Sequence, residues 1–273
     1  MEAENENVSG TALALSGGGS KGAFQLGALQ VLDEAGVTYT CVAGVSVGAL
    51  NGTLAAADQL SRLTAIWQTI TRDDVFRGSW PWVVFNVLRG RKGLYDNRPL
   101  LELIRREVDP EAIGIPLEVG VVKLESGTFI RVRPSSPRFE ELLFASTSIP
   151  IIWPPWELGG EHVVDGGLRN ITPLADVIWH GPARIVIITT EPRDKPPASR
   201  SPRNLIDVAQ RSLSIVLDEV FQNDIRTFLR INGLVQQAEA GGVTLRSESG
   251  RAYRFIELLL IEPEEPLGSG LDF

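Results

Sequence analysis

Two glycine-framed segments near the N-terminus constrain this chain more than anything else in it. Gly17-Gly18-Gly19-Ser20-Lys21-Gly22 follows the apolar run Ala12-Leu13-Ala14-Leu15. Gly44-Val45-Ser46-Val47-Gly48 follows a second run, Tyr39-Thr40-Cys41-Val42-Ala43. Each reads as a strand, a tight turn and then a helix. The first turn can aim several backbone N–H groups at one point. The second can hold a serine hydroxyl at the apex of a strained bend. A cradle for negative charge beside an exposed serine, both carried by strands of one sheet, is the equipment of acyl transfer.

Helix and strand signals alternate beyond these turns. Lys21 to Ala35 carries Phe24, Leu26, Ala28, Leu29, Val31 and Leu32 and stops at Gly36, as a helix would. Val47 to Ala57 is small and apolar, suited to a buried helix. Asp58 is expected to cap the next helix, which runs to about Ile70 with Leu60, Leu63, Ile66 and Trp67 at helical spacing. Asn97-Arg98-Pro99 opens another helix, to about Val108. Leu117–Leu124 and Thr128–Arg133 flank Glu125-Ser126-Gly127 as a hairpin. Phe139–Ser146 reads as a short helix, His162-Val163-Val164 as a strand, and Pro173–His180 as a helix with proline in its first turn. Arg184–Thr190 is a β-branched run, the mark of a strand buried on both faces. Residues 191–204 read as a surface loop, Leu205 to about Gln237 as one long helix or a broken pair, and Phe255–Ile261 as a last strand. The expected fold is α/β: a mostly parallel central sheet with helices on both faces. Residues 11–273 are expected to form one domain after a disordered lead-in over 1–10.

With 273 residues, 43% of them hydrophobic, the chain can bury a sizeable core. Its net charge of −8 argues against nucleic acid and against electrostatic capture by an anionic membrane. Cys41, the single cysteine, allows no internal disulfide and reads as inert core. The acidic start has no apolar stretch of a secretory signal, and no uninterrupted apolar run is long enough to span a bilayer. A cytoplasmic location is expected, with peripheral contact at a membrane left open. The abrupt ending Leu271-Asp272-Phe273 leaves open whether a further C-terminal helix belongs to the protein.

Competing motifs fail on particular residues. Gly17–Gly22 fits the dinucleotide pattern G-x-G-x-x-G, but the second strand carries no acid for a ribose. A phosphate-binding P-loop needs Ser or Thr after the lysine, where this chain has Gly22. The order Ser46, Asp165, His180 mimics a hydrolase triad. His180, however, closes a helix before Gly181, a position that suits a cap. His162 lies an odd number of residues before Asp165 and would face the other side of its strand. No His/Cys cluster has the spacing of a catalytic zinc site.

Gly17–Gly22, Gly44–Gly48 and Asp165-Gly166-Gly167 occur in this order and together resemble the patatin-like phospholipases. Ala145-Ser146-Thr147-Ser148-Ile149-Pro150, followed by Trp153-Pro154-Pro155, is similar to the family segment ahead of the aspartate turn. The resemblance covers residues 10–190, with fainter similarity in the helix after 204. It implies a three-layer α/β/α fold and a Ser–Asp dyad without histidine, in which Ser46 is the nucleophile and Asp165 the base. It also implies an oxyanion hole in the loop of Gly17, Gly18, Gly19, Ser20, Lys21 and Gly22. There the amides of Gly18, Gly19 and Ser20 would be the donors, and Lys21 would open the helix behind them. Gly44 and Gly48 frame the nucleophile elbow, and Gly166 and Gly167 form the aspartate turn. Val47-Gly48-Ala49 stands where relatives often carry Ala-Gly-Ala. No metal and no organic cofactor is implied.

The expected function is hydrolysis of a phospholipid or neutral-lipid ester through an acyl-enzyme. A thioesterase or transacylase, and a lipid-binding protein with little turnover, are the alternatives. An Asp is a feeble base at neutral pH unless burial raises its pKa, and the apolar Ile149–Trp156 segment is expected to bury Asp165. Trp80-Pro81-Trp82-Val83-Val84-Phe85, with Val87 and Leu88, reads either as a packed loop and helix or as a flap or membrane-dipping edge. Arg89-Gly90-Arg91-Lys92 beside it reads as a solvated turn, with contact to lipid head-groups as the alternative.

Overall fold

The chain alternates β-branched strands with helices, and the computed structural model describes residues 10–194, 201–247, 250–268 and 270–273. The expected lead-in lies outside the described residues apart from Gly10, as does the middle of the 191–204 loop. In order, the elements are β1 (Thr11–Leu15), α1 (Gly22–Glu34), β2 (Tyr39–Gly44), α2 (Val47–Ala56), α3 (Leu60–Thr69), α4 (Arg72–Val75), α5 (Trp80–Leu88) and α6 (Arg98–Glu107). Then come β3 (Leu117–Lys123), β4 (Phe129–Val132), α7 (Phe139–Ala145), β5 (Trp156–Leu158), β6 (Glu161–Asp165), α8 (Leu174–Ile178), β7 (Arg184–Ile188), α9 (Leu205–Ala240) and β8 (Glu257–Ile261).

One mixed sheet runs β5-β6-β3-β2-β1-β7-β8, with β4 paired to β3. Strands β3, β2, β1, β7 and β8 are parallel to their neighbours in that stretch. The β3–β4, β3–β6 and β5–β6 pairs are antiparallel. Alternation along β1 separates the two faces. Leu13 and Leu15 join the core beneath α1, α2, α3 and α6, whereas Ala12 and Ala14 join the core with Leu174 and Val177 of α8 and Phe228 of α9. Both faces are therefore covered by helices, which makes the fold a three-layer α/β/α arrangement.

One local reading changes, one open alternative closes and one strand is new. Asp58 does not cap α3: it adopts φ 56°, and Gln59 occupies the cap without a side-chain hydrogen bond. Leu205–Ala240 is one 36-residue helix, opened by the Asn204 side chain accepting the Asp207 N–H and followed by Gly241-Gly242. It contains no proline, and the single Gly233 costs only about 1 kcal/mol, too little to divide it. Strand β5 was not anticipated. Its partner β6 follows through Gly159-Gly160, both at positive φ, the two-residue turn that suits a hairpin.

Candidate active site

Both glycine-framed turns leave the carboxyl ends of adjacent parallel strands, β1 and β2, where open α/β sheets present their sites. The elbow needs glycine on both sides because helix and strand touch through their backbones. A β-carbon on Gly44 would lie 2.3 Å from the Gly48 carbonyl oxygen, and one on Gly48 would lie 2.4 Å from that of Leu15. Ser46, at the apex, has φ 57° and ψ −130° and is buried. For a residue with a β-carbon this conformation costs about 1–3 kcal/mol, so the surroundings must hold it. Its amide donates to Ser146 Oγ at 3.0 Å. It stands at the N-terminus of α2, where the helix dipole favours negative charge.

The first loop runs against this elbow, since a β-carbon on Gly17 would lie 3.2 Å from Ser46 Cβ. Gly18 abuts the Thr190 side chain, and Gly19, at φ 63°, lines the same cavity as Ser46. Among the described residues the Gly18 and Gly19 amides have no acceptor. The Ser20 amide differs: it donates to the Gly270 carbonyl oxygen at 2.9 Å. Lys21 turns its ammonium to Glu191, and the Gly22 carbonyl accepts from Asn51 Nδ2 at 3.0 Å.

Asp165 ends β6 opposite Val121 of β3 and is 4% exposed. Its N–H donates to the Ser148 carbonyl at 3.1 Å, and its Oδ1 accepts the Gly167 N–H at 2.8 Å. Gly166, between them, packs against the Gly120 carbonyl of β3. Burial pushes the Asp165 carboxyl up from 3.8 to about 7, while hydrogen bonds from Gly167 and from the Ser46 side chain pull it down. The structure thus brings the Ser46 and Asp165 side chains together. It brings neither histidine to them. His180 Nε2 lies 3.7 Å from Glu118 Oε1, and His162 sits between Glu125 at 2.5 Å and Lys92 at 2.7 Å.

Ser46 opens onto an apolar cavity of about 100 Å³ between α2, α3 and α6. Leu50, Leu54, Ile66 and Leu103 form part of its wall, and Leu271 and Phe273 from the end of the chain enter it. Trp153 also lines it, so part of the Ile149–Trp156 segment faces the cavity. Among the described residues, no group of three or more His, Cys, Asp or Glu is placed to hold a metal ion. None of their helices is long and apolar enough to cross a membrane.

A family model described as patatin-like phospholipase matches residues 13–178, which include both turns and Asp165. The chain belongs to that family. An uncharacterized NTE family protein of Mycobacterium tuberculosis is 29% identical over 170 residues, covering 61% of this chain and 45% of the relative. The match therefore spans less than half that relative's length. A lysophospholipase of Aspergillus terreus is 46% identical over 46 residues, 17% of this chain and 3% of that protein. The solved structure of VipD from Legionella pneumophila aligns with TM-score 0.47 and 15% identity, over 75% of this chain and 52% of that one.

Two buried amides of this patatin-like chain escaped the sequence reading. Gln25 Nε2 donates to the carbonyls of Ser16 at 2.8 Å and Ile188 at 3.2 Å. Asn51 Nδ2 donates to Gln25 Oε1 at 2.9 Å, and Asn51 Oδ1 accepts from Trp67 Nε1 at 2.9 Å. They tie the glycine loop to α2 and α3. A lone amide in the small, apolar run after Ser46 was the available signal.

Proposed function

We propose that this protein hydrolyses carboxylic esters of phospholipids or neutral lipids through a Ser46 acyl-enzyme. The observation that carries the reading is the buried Asp165 carboxylate, its pKa raised to about 7, facing the Ser46 side chain at the end of an apolar cavity. Asp165 takes the Ser46 Oγ proton as the oxygen attacks the acyl carbon. The Gly18 and Gly19 amides receive the oxyanion. As the ester C–O bond breaks, Asp165 returns the proton to the leaving alcohol. Water then attacks the acyl-serine by the same route, releasing the carboxylic acid and Ser46. The Ser20 amide joins the hole only when Gly270 leaves it, so substrate entry displaces the segment containing Leu271 and Phe273. The acyl chain takes their place among apolar side chains.

The lipid is met at a surface. Helix α5 exposes Trp82, Val84, Phe85 and Leu88, while its Val83 is buried, and exposed Arg89, Arg91 and Lys92 follow it. That pairing of aromatic and cationic side chains suits peripheral contact of a cytoplasmic enzyme with a lipid interface. Residues 11–273 act as one domain in this reading, since β8 near the end of the chain completes the sheet that β1 begins.

The test is a panel of phospholipid, neutral-lipid, thioester and simple ester substrates, with wild type, Ser46→Ala and Asp165→Asn. Hydrolysis abolished by both substitutions, with fluorophosphonate labelling at Ser46, is expected. Lipid binding without labelling would make the protein a carrier. Acyl transfer to an added alcohol in preference to water would make it a transacylase.

A further inference from the structure

The Ala145–Pro150 segment entered the sequence argument only as a resemblance, yet it touches both reacting residues. The buried Ser46 N–H donates to Ser146 Oγ at 3.0 Å. The same hydroxyl donates to the Gly120 carbonyl oxygen at 2.7 Å. Ser146 is fully buried, and its own N–H is fixed at the end of α7 by the Leu142 carbonyl at 2.9 Å. Gly120 backs onto the aspartate turn, where a β-carbon on Gly166 would lie 2.4 Å from its oxygen. Two residues after Ser146, the Ser148 carbonyl accepts the Asp165 N–H at 3.1 Å.

We propose that Ser146 is a positioning residue whose hydroxyl holds the Ser46 elbow in its positive-φ conformation and so aims Ser46 Oγ at Asp165. The inference rests on the acyl-hydrolase reading and adds a residue to it. The position needs a group that accepts and donates at once, which a hydroxyl does and a methyl does not. Alanine there leaves a buried N–H and a buried C=O without each other's bridge. The elbow can then relieve itself by relaxing its backbone, which swings the hydroxyl off line. Misplacement of a reacting group by about 1 Å costs on the order of 10²-fold in rate. Thr147 lines the cavity and Ser146 does not, so the loss falls on kcat and leaves KM unchanged.

The test compares Ser146→Ala and Ser146→Thr with Thr53→Ala. Thr53 is a matched buried hydroxyl on α2, bonded to the Ala49 carbonyl at 2.7 Å and not part of the cavity wall. Ester kcat and KM, melting temperature, and hydrogen exchange at the Ser46 amide are measured on the full chain. Ser146→Ala is expected to lower kcat about 10- to 100-fold at constant KM. It should also speed Ser46 amide exchange by more than tenfold. Ser146→Thr should keep the amide protected and restore most of kcat, and Thr53→Ala should lower the melting temperature with kcat intact.

Unchanged amide exchange in Ser146→Ala overturns the proposal. So does a fall in kcat that Thr53→Ala reproduces at equal loss of stability. If Ser146→Ala does not fold, wild-type exchange still decides: a Ser46 amide as labile as an open one overturns it. If the wild type hydrolyses no ester, the hydrolase reading falls separately, and amide protection alone decides whether Ser146 holds the elbow.

Discussion

Asp165 and Asp176 lie on the two sides of the turn that leaves β6, and both are buried, at 4% and 3% exposure. Their partners differ. Asp176 holds the Arg131 guanidinium and accepts from Asn170 Nδ2 at 3.0 Å. Asp165 has a glycine amide and the Ser46 side chain, and among the described residues no cation acts on it. Burial raises the pKa of both, but at Asp176 the arginine pulls back toward the ionised form. Similar exposure thus yields two different acids. One is held against an arginine. The other is a carboxylate kept close to neutrality, able to take and return a proton near pH 7.

The largest expected effect separates the two by activity. Asp165→Asn is expected to lower kcat/KM for a soluble ester by about 10³-fold or more, as losing a catalytic base does. Asp176→Asn leaves turnover per folded molecule near wild type, because its partners Arg131 and Asn170 bond to neither Ser46 nor Asp165. Comparable losses in the two variants would break the contrast. The next effect is pH dependence. In the proposed mechanism the carboxylate form of Asp165 is the base, so kcat/KM should fall about tenfold per pH unit below pH 7 and level off above it. An acidic limb near pH 4 would mean that Asp165 is solvated in the working enzyme.

Stability carries the opposite sign. Asp165 is raised above its unfolded value, so the folded state holds the proton more tightly. Its contribution is present at low pH and is lost as pH rises from about 4 through about 7. Asn keeps the Gly167 contact and removes the buried charge. Asp165→Asn should therefore match wild type in unfolding free energy near pH 4 and exceed it at pH 8, by a few kcal/mol. A stability cost of this sign is what the proposed catalytic role predicts for Asp165.

Much of the sheet was legible because its signals are local. β1 and β2 with their glycine turns, the β3–β4 hairpin and the β-branched β7 each announce themselves within a few residues. β5 did not, because three residues show no alternation, although the Gly159-Gly160 pair marked its turn. Asp58 misled because an acid before a helix reads as a cap, whereas here it takes the left-handed bend one residue earlier. At the site, the spacing of Ser46, Asp165 and the glycines was visible through the family resemblance. The Ser146 bridge, the Gln25–Asn51 pair and the Gly270 carbonyl on Ser20 were not. Each is a contact between segments far apart in the chain, and residue type alone does not say which hydroxyl or amide will be buried.

Arg131→Ala sharpens the contrast by giving Asp176 surroundings closer to those of Asp165. The arginine is half exposed on β4, so its removal opens little core but strips a buried carboxylate of its cation. The Asp176 pKa should rise further, and the variant should lose about 1–3 kcal/mol at pH 8. The arginine has a charge to pair only once the folded Asp176 carboxyl ionises, and its pKa lies above the free value. Urea unfolding should therefore show a deficit that grows with pH, with turnover per folded molecule unchanged. A deficit equal at pH 4 and pH 8 would mean that Arg131 acts through the packing of its stem, and that charge pairing is not what distinguishes the two acids.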